Sequence, residues 1–503
     1  MLAWTGLGVL VFGMLAALPF LVEHGYEASD ETNDASIYVA TARALLAGDG
    51  YSYLGEPFIV RPPGFAVMLA GVMRVFGDSA FVMNLFVSSW GVLACALLYV
   101  FGVKRIGAPL AFLCSAALFL HPEFRRMSNQ VMSDVPGLAL VLACLLVERW
   151  ASSRRSWRRD LVLAVVIGAS GYVRTLALLV IPATLLGRWF ARAEGERLIG
   201  AFLRTRAVLL VAGVVVCVAP WSVRCMLRHP VPPVDQTFLY SYGTGMWHER
   251  PYDPESPVVS PARVLGRAAE RVEPLVTSLP WVVNARPEAS DDAADESTDW
   301  VAVAFGALLL ASTAWLCVER RRAGEFFALL TVLLLLVYFA FRPRLVLPLQ
   351  ALLPVLFIEA GLAMTQRAWS RAGRGVAVVF SALIVARGVH GFAAGVRDGG
   401  SNTLRGASYT AAASVLRPRL GEERVASAIG WHWSVYLDRP VWSLALAARR
   451  GGASAVQAVL ARHRIDTVVL ADALPEDRAL VPLLTRLWGE PDRVGDVSVF
   501  RRR

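Results

Sequence analysis

Two aspartates and a few arginines are the residues of this chain best placed to do chemistry. Asp34 stands in "NDASIYVATARALLAGDGY", just ahead of a small-residue helical pattern, and Arg61 opens "RPPG" further on. Asp134 stands in "SDVPGLALVLACLL", Arg174 in "GYVRTLALL", and Arg342 and Arg344 in "FRPRLVLP". All lie at or beside long apolar runs, where an unpaired charge is costly. They are most simply explained if they meet each other or a charged, membrane-borne ligand. A carboxylate can take a proton from a hydroxyl, while guanidiniums beside it hold an anionic lipid phosphate. A plainer reading stays open for both aspartates. Asn33 or Asp34 can cap the helix that follows, and Asp134, with Pro136 in the first turn, can cap another.

The elements that must position these residues are membrane helices. Of 503 residues 56% are hydrophobic and 18% charged, and the mean hydropathy is +0.51, too apolar for a soluble domain of this length. Apolar runs approaching the length of a bilayer span fall near 3–22, 80–102, 108–121, 131–148, 160–172, 175–190, 207–222, 300–318, 325–341, 345–365 and 375–392. The expectation is a polytopic α-helical membrane protein with about eleven transmembrane helices. The segment before the first run has no Lys or Arg and no small-residue cleavage site follows Phe20, so this run reads as an uncleaved anchor.

Basic segments (Lys104–Arg105, Arg149–Arg159, Arg188–Arg206, Arg320–Arg322 and Arg367–Arg374) alternate with the spans and mark the inside. Residues 23–79 and 224–299 then form outside loops, and the C-terminal region is outside as well. The net charge of +10 is a topology signal rather than a nucleic-acid surface. One Lys against 49 Arg is a composition bias, so no arginine is read as chosen over lysine for its chemistry.

Six cysteines sit in or beside spans without a CxxC pair, so neither a disulfide framework nor a thiolate zinc site is expected. His24, His121, His229 and His248 fall in outside segments but lack HxH or HxxxH spacing, and no metal site is expected from them. His248, followed by Glu249, is the candidate among them for a sugar or acceptor contact.

Ile37, Ala40, Ala44 and Leu45 give the helix after Asp34 an apolar stripe suited to lying along the membrane surface. The loop 224–299 shows little regular pattern. Its first half, with Tyr240, Tyr242, Trp247 and His248, reads as contact surface, and its acidic end "EASDDAADESTD" as solvated loop. From about 405 the pattern changes. "RVASAIG", "SVYLDRPVW", "IDTVVLAD" and "GDVSVF" read as strands, alternating with helical "ASAVQAVLARHR" and "PEDRALVPLLTRLW". That is a small α/β domain without GxGxxG or a Walker loop, so no nucleotide site is expected there. The division expected is a membrane body over 1–393 and an extracytoplasmic α/β domain over 394–503.

Taken in order, several of these stretches resemble the GT-C superfamily of glycosyltransferases. They are Asp34 with Tyr38, the helix to "LLAGDGY", "RPPG", "SDVPGLALVLACLL", "GYVRTLALLVIP", "APWSVR" and "RPRLVLPLQALLPVL". The branch most similar by pattern holds the protein O-mannosyltransferases and the aminoarabinose lipid A transferases. The resemblance covers the membrane body, and the C-terminal domain is similar to an extracytoplasmic domain of several members.

The resemblance implies a GT-C fold and an inverting transfer of sugar from a polyprenyl-phosphate donor. The acceptor would be a protein, glycolipid or glycan outside the bacterial cytoplasmic membrane. No cofactor is implied with certainty, and a divalent cation is allowed. By this likeness Asp34 matches the catalytic base and Asp134 the second loop carboxylate. Arg61 matches the basic residue before the Pro-Pro pair and, with Arg342, Arg344 and Arg174, would face the donor phosphate. Tyr38 and His248 would shape the substrate site. Val60 stands where the aminoarabinose branch often has an acidic residue, so neither that branch's sugar nor a metal there is implied. Two other classes stay open. One is a transporter or flippase of lipid-linked glycans, against which stand the absence of repeats and a charged cluster on one face only. The other is a non-catalytic scaffold.

Overall fold

Apolar segments in a membrane can satisfy their backbone groups internally only as helices or closed barrels, and here they are helices. The computed structural model describes residues 2–22, 33–154, 156–191, 207–228, 236, 246–250, 253, 255–280, 300–338, 343–368, 401–472 and 475–502. In chain order the helices are α1 (Leu2–Leu21), α2 (Asn33–Ala47), α3 (Gly64–Phe76), α4 (Ala80–Ile106), α5 (Ala108–Leu120), α6 (Pro122–Ser128), α7 (Asp134–Ser152), α8 (Trp157–Val173) and α9 (Val180–Phe190). There follow α10 (Ala207–Leu227), α11 (Pro261–Ser278), α12 (Trp300–Glu319), α13 (Ala323–Val337) and α14 (Leu347–Ala368), with 3-10 turns at Thr175–Leu179 and Pro343–Val346. Ten of the expected spans coincide with these helices; the one at 375–392 lies outside the described residues. Among the described residues, five helical stretches are long and apolar enough to cross a membrane: Ala80–Ile106, Asp134–Ser152, Ala207–Leu227, Trp300–Glu319 and Arg344–Met364. The chain is a polytopic helical membrane protein.

One apolar core runs through α1, α4, α5, α7, α8 and α14 and includes Val39 and Ala42 of α2. At the end of the bundle where α4 finishes and α13 starts, buried charges tie the helices together. Arg105 donates to Glu325 and Glu359, each at 2.7 Å, with both carboxylates almost wholly buried. Arg322 reaches Glu359 at 2.9 Å, and Arg188 of α9 reaches Asp160 of α8 at 2.7 Å. Buried charge is therefore not confined to the end that holds Asp34, as the sequence suggested. The reason is physical: these groups neutralise one another across helices, which no single span reveals.

Two expectations for the loops are corrected. Residues 261–278 are not irregular but form α11, capped by Ser260, whose Oγ accepts from Arg263 N; Leu275 and Leu279 pack among α12, α13 and α14. The stripe of α2 does not lie free at a membrane surface. Of its residues Ile37 is buried and Ala40, Ala44 and Leu45 are half-buried, because α2 is sandwiched between α3 and a helix of the C-terminal domain.

The described part of that domain comprises α15 (Ser401–Leu420), β3 (Val425–Ser427), α16 (Gly430–Leu437), β4 (Val441–Ser443), α17 (Ala445–Arg462), β5 (Thr467–Ala471), α18 (Pro475–Trp488), β6 (Asp492–Val494) and β7 (Val497–Arg501). The hairpin β1 (Ser52–Tyr53) with β2 (Glu56–Pro57) lies far earlier, after α2. The sheet order is β4-β3-β5-β7-β6; β3 is parallel to β4 and β5, while β7 is antiparallel to β5 and β6. Residues 434–437, expected as strand, belong to α16. Trp433, Tyr436 and Leu437 fall on one helical face, against Tyr409 of α15, and a strand would split that cluster between two faces. Buried Asp477 accepts from Ala428 N, Ala471 N and Ser427 Oγ and closes the carboxyl ends of β3 and β5, where α/β folds commonly take ligands.

The domain holds the membrane body at several points. Arg43 of α2 bonds Asp438 after α16 (2.8 Å) and also Asp78 (2.7 Å). Tyr53 donates to Val441 O. Gln236 of the long loop exchanges two bonds with the backbone of Ser443, and Arg450 pairs with Asp253 and Glu255.

Candidate functional site

The site is built on the first turn of α2. Asp34 lies there, and Tyr38 one turn on packs edge-to-face with Phe65 of α3, ring centroids 4.8 Å apart. The chain leaves α2, turns through the β1–β2 hairpin and arrives at Arg61. Tyr51 fixes that arrival: its hydroxyl donates to Arg61 O at 3.0 Å, and its own carbonyl accepts from Arg224 of α10 at 2.8 Å. Pro62 and Pro63 stiffen the segment, and α3 begins at Gly64, where a Cβ would meet Tyr172 O at 2.6 Å. Only glycine lets the start of α3 come this close to the end of α8. The Arg61 guanidinium, 5.3 Å from the Tyr38 ring centroid, donates from Nη2 to Asp34 Oδ1 at 2.5 Å.

The second oxygen of Asp34 is taken from elsewhere in the bundle. Arg344, in the 3-10 turn before α14, donates to Oδ2 at 3.0 Å and also approaches Met132 Sδ at 3.4 Å. Beside this pair lies another. Arg174, at the end of α8, reaches Asp134 Oδ1 at 2.8 Å and Ser133 Oγ at 3.2 Å. Ser133 Oγ is also within 2.9 Å of the Tyr38 hydroxyl, so one hydroxyl joins the two ion pairs. Gly137 clears the route, since a Cβ there would stand 2.4 Å from Arg174 Cδ. Burial pushes the Asp34 carboxyl up, but Arg61 and Arg344, the hydrogen bond from Arg61 and the more distant Arg174 outweigh it and hold it at about 2.

Of the residues singled out in the sequence, the fold gathers Asp34, Arg61, Arg344, Tyr38, Asp134 and Arg174 into one cluster. Arg342 lies outside the described residues. His248 is engaged within its own loop, its Nδ1 2.7 Å from Ser256 O. For Asp34 and Asp134 the capping reading gives way to ion pairing: Asp34 has a guanidinium on each oxygen, and the N-cap position before α7 is held by Ser133. Ser133, Met132, Tyr51 and Arg224 were not foreseen. Ser133, Tyr51 and Arg224 stand in the quoted stretches "SDVPG", "LLAGDGY" and "APWSVR", but residue type and spacing alone gave none of them a role.

Among the described residues no three His, Cys, Asp or Glu side chains come together as a metal would need. The two carboxylates present are already covered by guanidiniums, so the site as arranged does not fit a divalent cation. What it does fit is an anion, because cations and hydroxyls converge on it from five segments of the chain.

Comparison with known proteins agrees with this architecture. Residues 60–223 match the family described as dolichyl-phosphate-mannose-protein mannosyltransferase. A search of curated protein sequences returns no match. Among solved structures, ArnT from Cupriavidus metallidurans in the apo state superposes with a TM-score of 0.61 at 15% identity, covering 99% of this chain and 98% of that one. The same protein bound to undecaprenyl phosphate gives 0.58 at 14% identity, over 98% and 97%. The archaeal oligosaccharyltransferase AglB from Archaeoglobus fulgidus, in complex with an inhibitory peptide and a dolichol-phosphate, gives 0.55 at 11% identity, over 96% and 71%. These likenesses establish a shared fold, the GT-C fold, running nearly end to end.

Proposed function

We propose that this chain, which carries the GT-C fold, is an inverting membrane glycosyltransferase. It moves a sugar from a polyprenyl-phosphate carrier to a hydroxyl-bearing acceptor on the extracytoplasmic side. The observation that carries the reading is the Asp34 carboxylate with Arg61 and Arg344 on its two oxygens, a base and a phosphate cradle in one place. The mannosyltransferase match over 60–223 and the carriers named for two of the similar structures, undecaprenyl phosphate and dolichol-phosphate, support the same donor class.

In the reaction the acceptor oxygen attacks the anomeric carbon from the face opposite the phosphate. Its proton passes to an oxygen of Asp34, and the sugar–phosphate C–O bond breaks with its electron pair going to the phosphate. Arg61 and Arg344 neutralise the second negative charge that then develops on the carrier. Because phosphate is a good leaving group, no second carboxylic acid is needed to protonate it, unlike the arrangement in glycosidases. Asp134 and Arg174, linked to Tyr38 through Ser133, orient the site.

The test is transfer of radiolabelled sugar in membranes holding equal amounts of the wild type or Asp34→Asn, with several polyprenyl-phosphate sugars supplied. Removing a general base should lower transfer by roughly 10²- to 10⁴-fold. Equal transfer in both would sink the assignment of Asp34.

A further inference from the structure

Asp34 occupies the groups that a donor phosphate would need. Arg61 donates to one of its oxygens and Arg344 to the other, so the base and the phosphate ligands of the proposed reaction block each other. Neither arginine is placed to yield easily. Arg61 has its carbonyl held by Tyr51, and its guanidinium lies near the Tyr38 ring. Arg344 starts from the short 3-10 turn that leads into buried α14. Resting on the reading above, we infer that the lipid phosphate displaces the Asp34 carboxylate from Arg61 and Arg344, so that donor binding itself releases the base.

Charge balance favours such an exchange. Among the described residues, the groups facing Asp34 are Arg61 from the segment before α3, Arg344 from the 3-10 turn, Arg174 from the end of α8, Asp134 from α7 and Tyr38 on α2 itself. Three guanidiniums and two carboxylates leave one positive charge. A sugar-carrying phosphodiester brings one negative charge. It can take the bidentate donors while Asp34 turns to the incoming hydroxyl. Without donor, the carboxylate is a weak base with both oxygens engaged, which protects the site from idle proton transfer.

The experiment is binding of undecaprenyl phosphate to the purified full chain in detergent. If Asp34 competes for the arginines, Asp34→Asn binds the lipid more tightly than the wild type, by about tenfold, although its sugar transfer falls. Asp134→Asn, which frees Arg174 instead, should shift binding by less than about threefold. Unchanged or weaker binding by Asp34→Asn overturns the exchange, and so does equal tightening by Asp134→Asn, which would reduce the effect to bulk charge.

If Asp34→Asn does not fold, the wild type answers alone. Saturation with undecaprenyl phosphate should raise the pH at which one aspartate titrates, by about one pH unit or more, in infrared difference spectra of protein labelled with 13C-aspartate; no movement overturns the exchange. Failure of the wild type to bind the lipid at all would overturn the lipid-phosphate reading too. Normal transfer by the wild type, its loss in Asp34→Asn and no tightening of lipid binding in that variant would overturn the exchange only.

Discussion

An aspartate between two arginines stabilises the fold only while it is ionised. Its carboxyl, held at about 2 in the folded chain, lies below the value of roughly 3.9 expected when unfolded. The stabilisation is therefore fully present above about pH 4 and is lost as pH falls toward 2. Thermal unfolding in detergent, followed by tryptophan fluorescence, should show a melting temperature that declines over that window. Asp34→Asn should lack this component, and an identical decline in the variant would contradict the assignment. Residues of this kind were legible in the sequence because a charge beside an apolar run demands an explanation. Their neutral supports were not: Ser133 and Tyr51 act through hydrogen bonds that depend on where distant segments meet.

At the scale of elements, the approach of α3 to α8 sets where Arg61 stands. Gly64→Ala would push a methyl against Tyr172 O, and a backbone carbonyl cannot swing aside. The cost should be about 1–3 kcal/mol in unfolding free energy, with a loss of transfer beyond that stability loss as Arg61 is displaced. Gly71→Ala, in the same helix with nothing within 4 Å of the new methyl, should be neutral or stabilising by up to about 1 kcal/mol. If both substitutions behaved alike, close approach would not be what Gly64 provides. The long apolar helices were readable because span length and composition suffice to specify them. α11 and α16 were not. α11 is an amphipathic helix hidden in a Pro-rich loop, and α16 has a short aromatic sequence that suits a strand equally well until its partner Tyr409 is known.

For the whole molecule, the bundle is fastened at both ends, by the Asp34 cluster at one and by Arg105 with Glu325 and Glu359 at the other. Arg105→Gln would leave two buried carboxylates without their main cation. That should cost about 3–5 kcal/mol in stability, seen as a lower midpoint of thermal unfolding, with transfer per folded molecule unchanged. A loss of turnover in the folded fraction would instead tie the two ends functionally. The likeness to ArnT over nearly the whole of both chains fits a body and C-terminal domain that form one structure. α2, covered by α3 on one side and α16 on the other, makes the reason concrete: Val435 of α16 shares a core with Tyr38, Val39 and Ala42. Anyone cutting the chain into exchangeable parts would find no seam here. Trimming the C-terminal domain strips the cover from an apolar strip one turn away from Asp34. Grafting the domain of a relative works only if that relative's own counterpart of α2 travels with it, so α2 and the C-terminal domain form a single cassette.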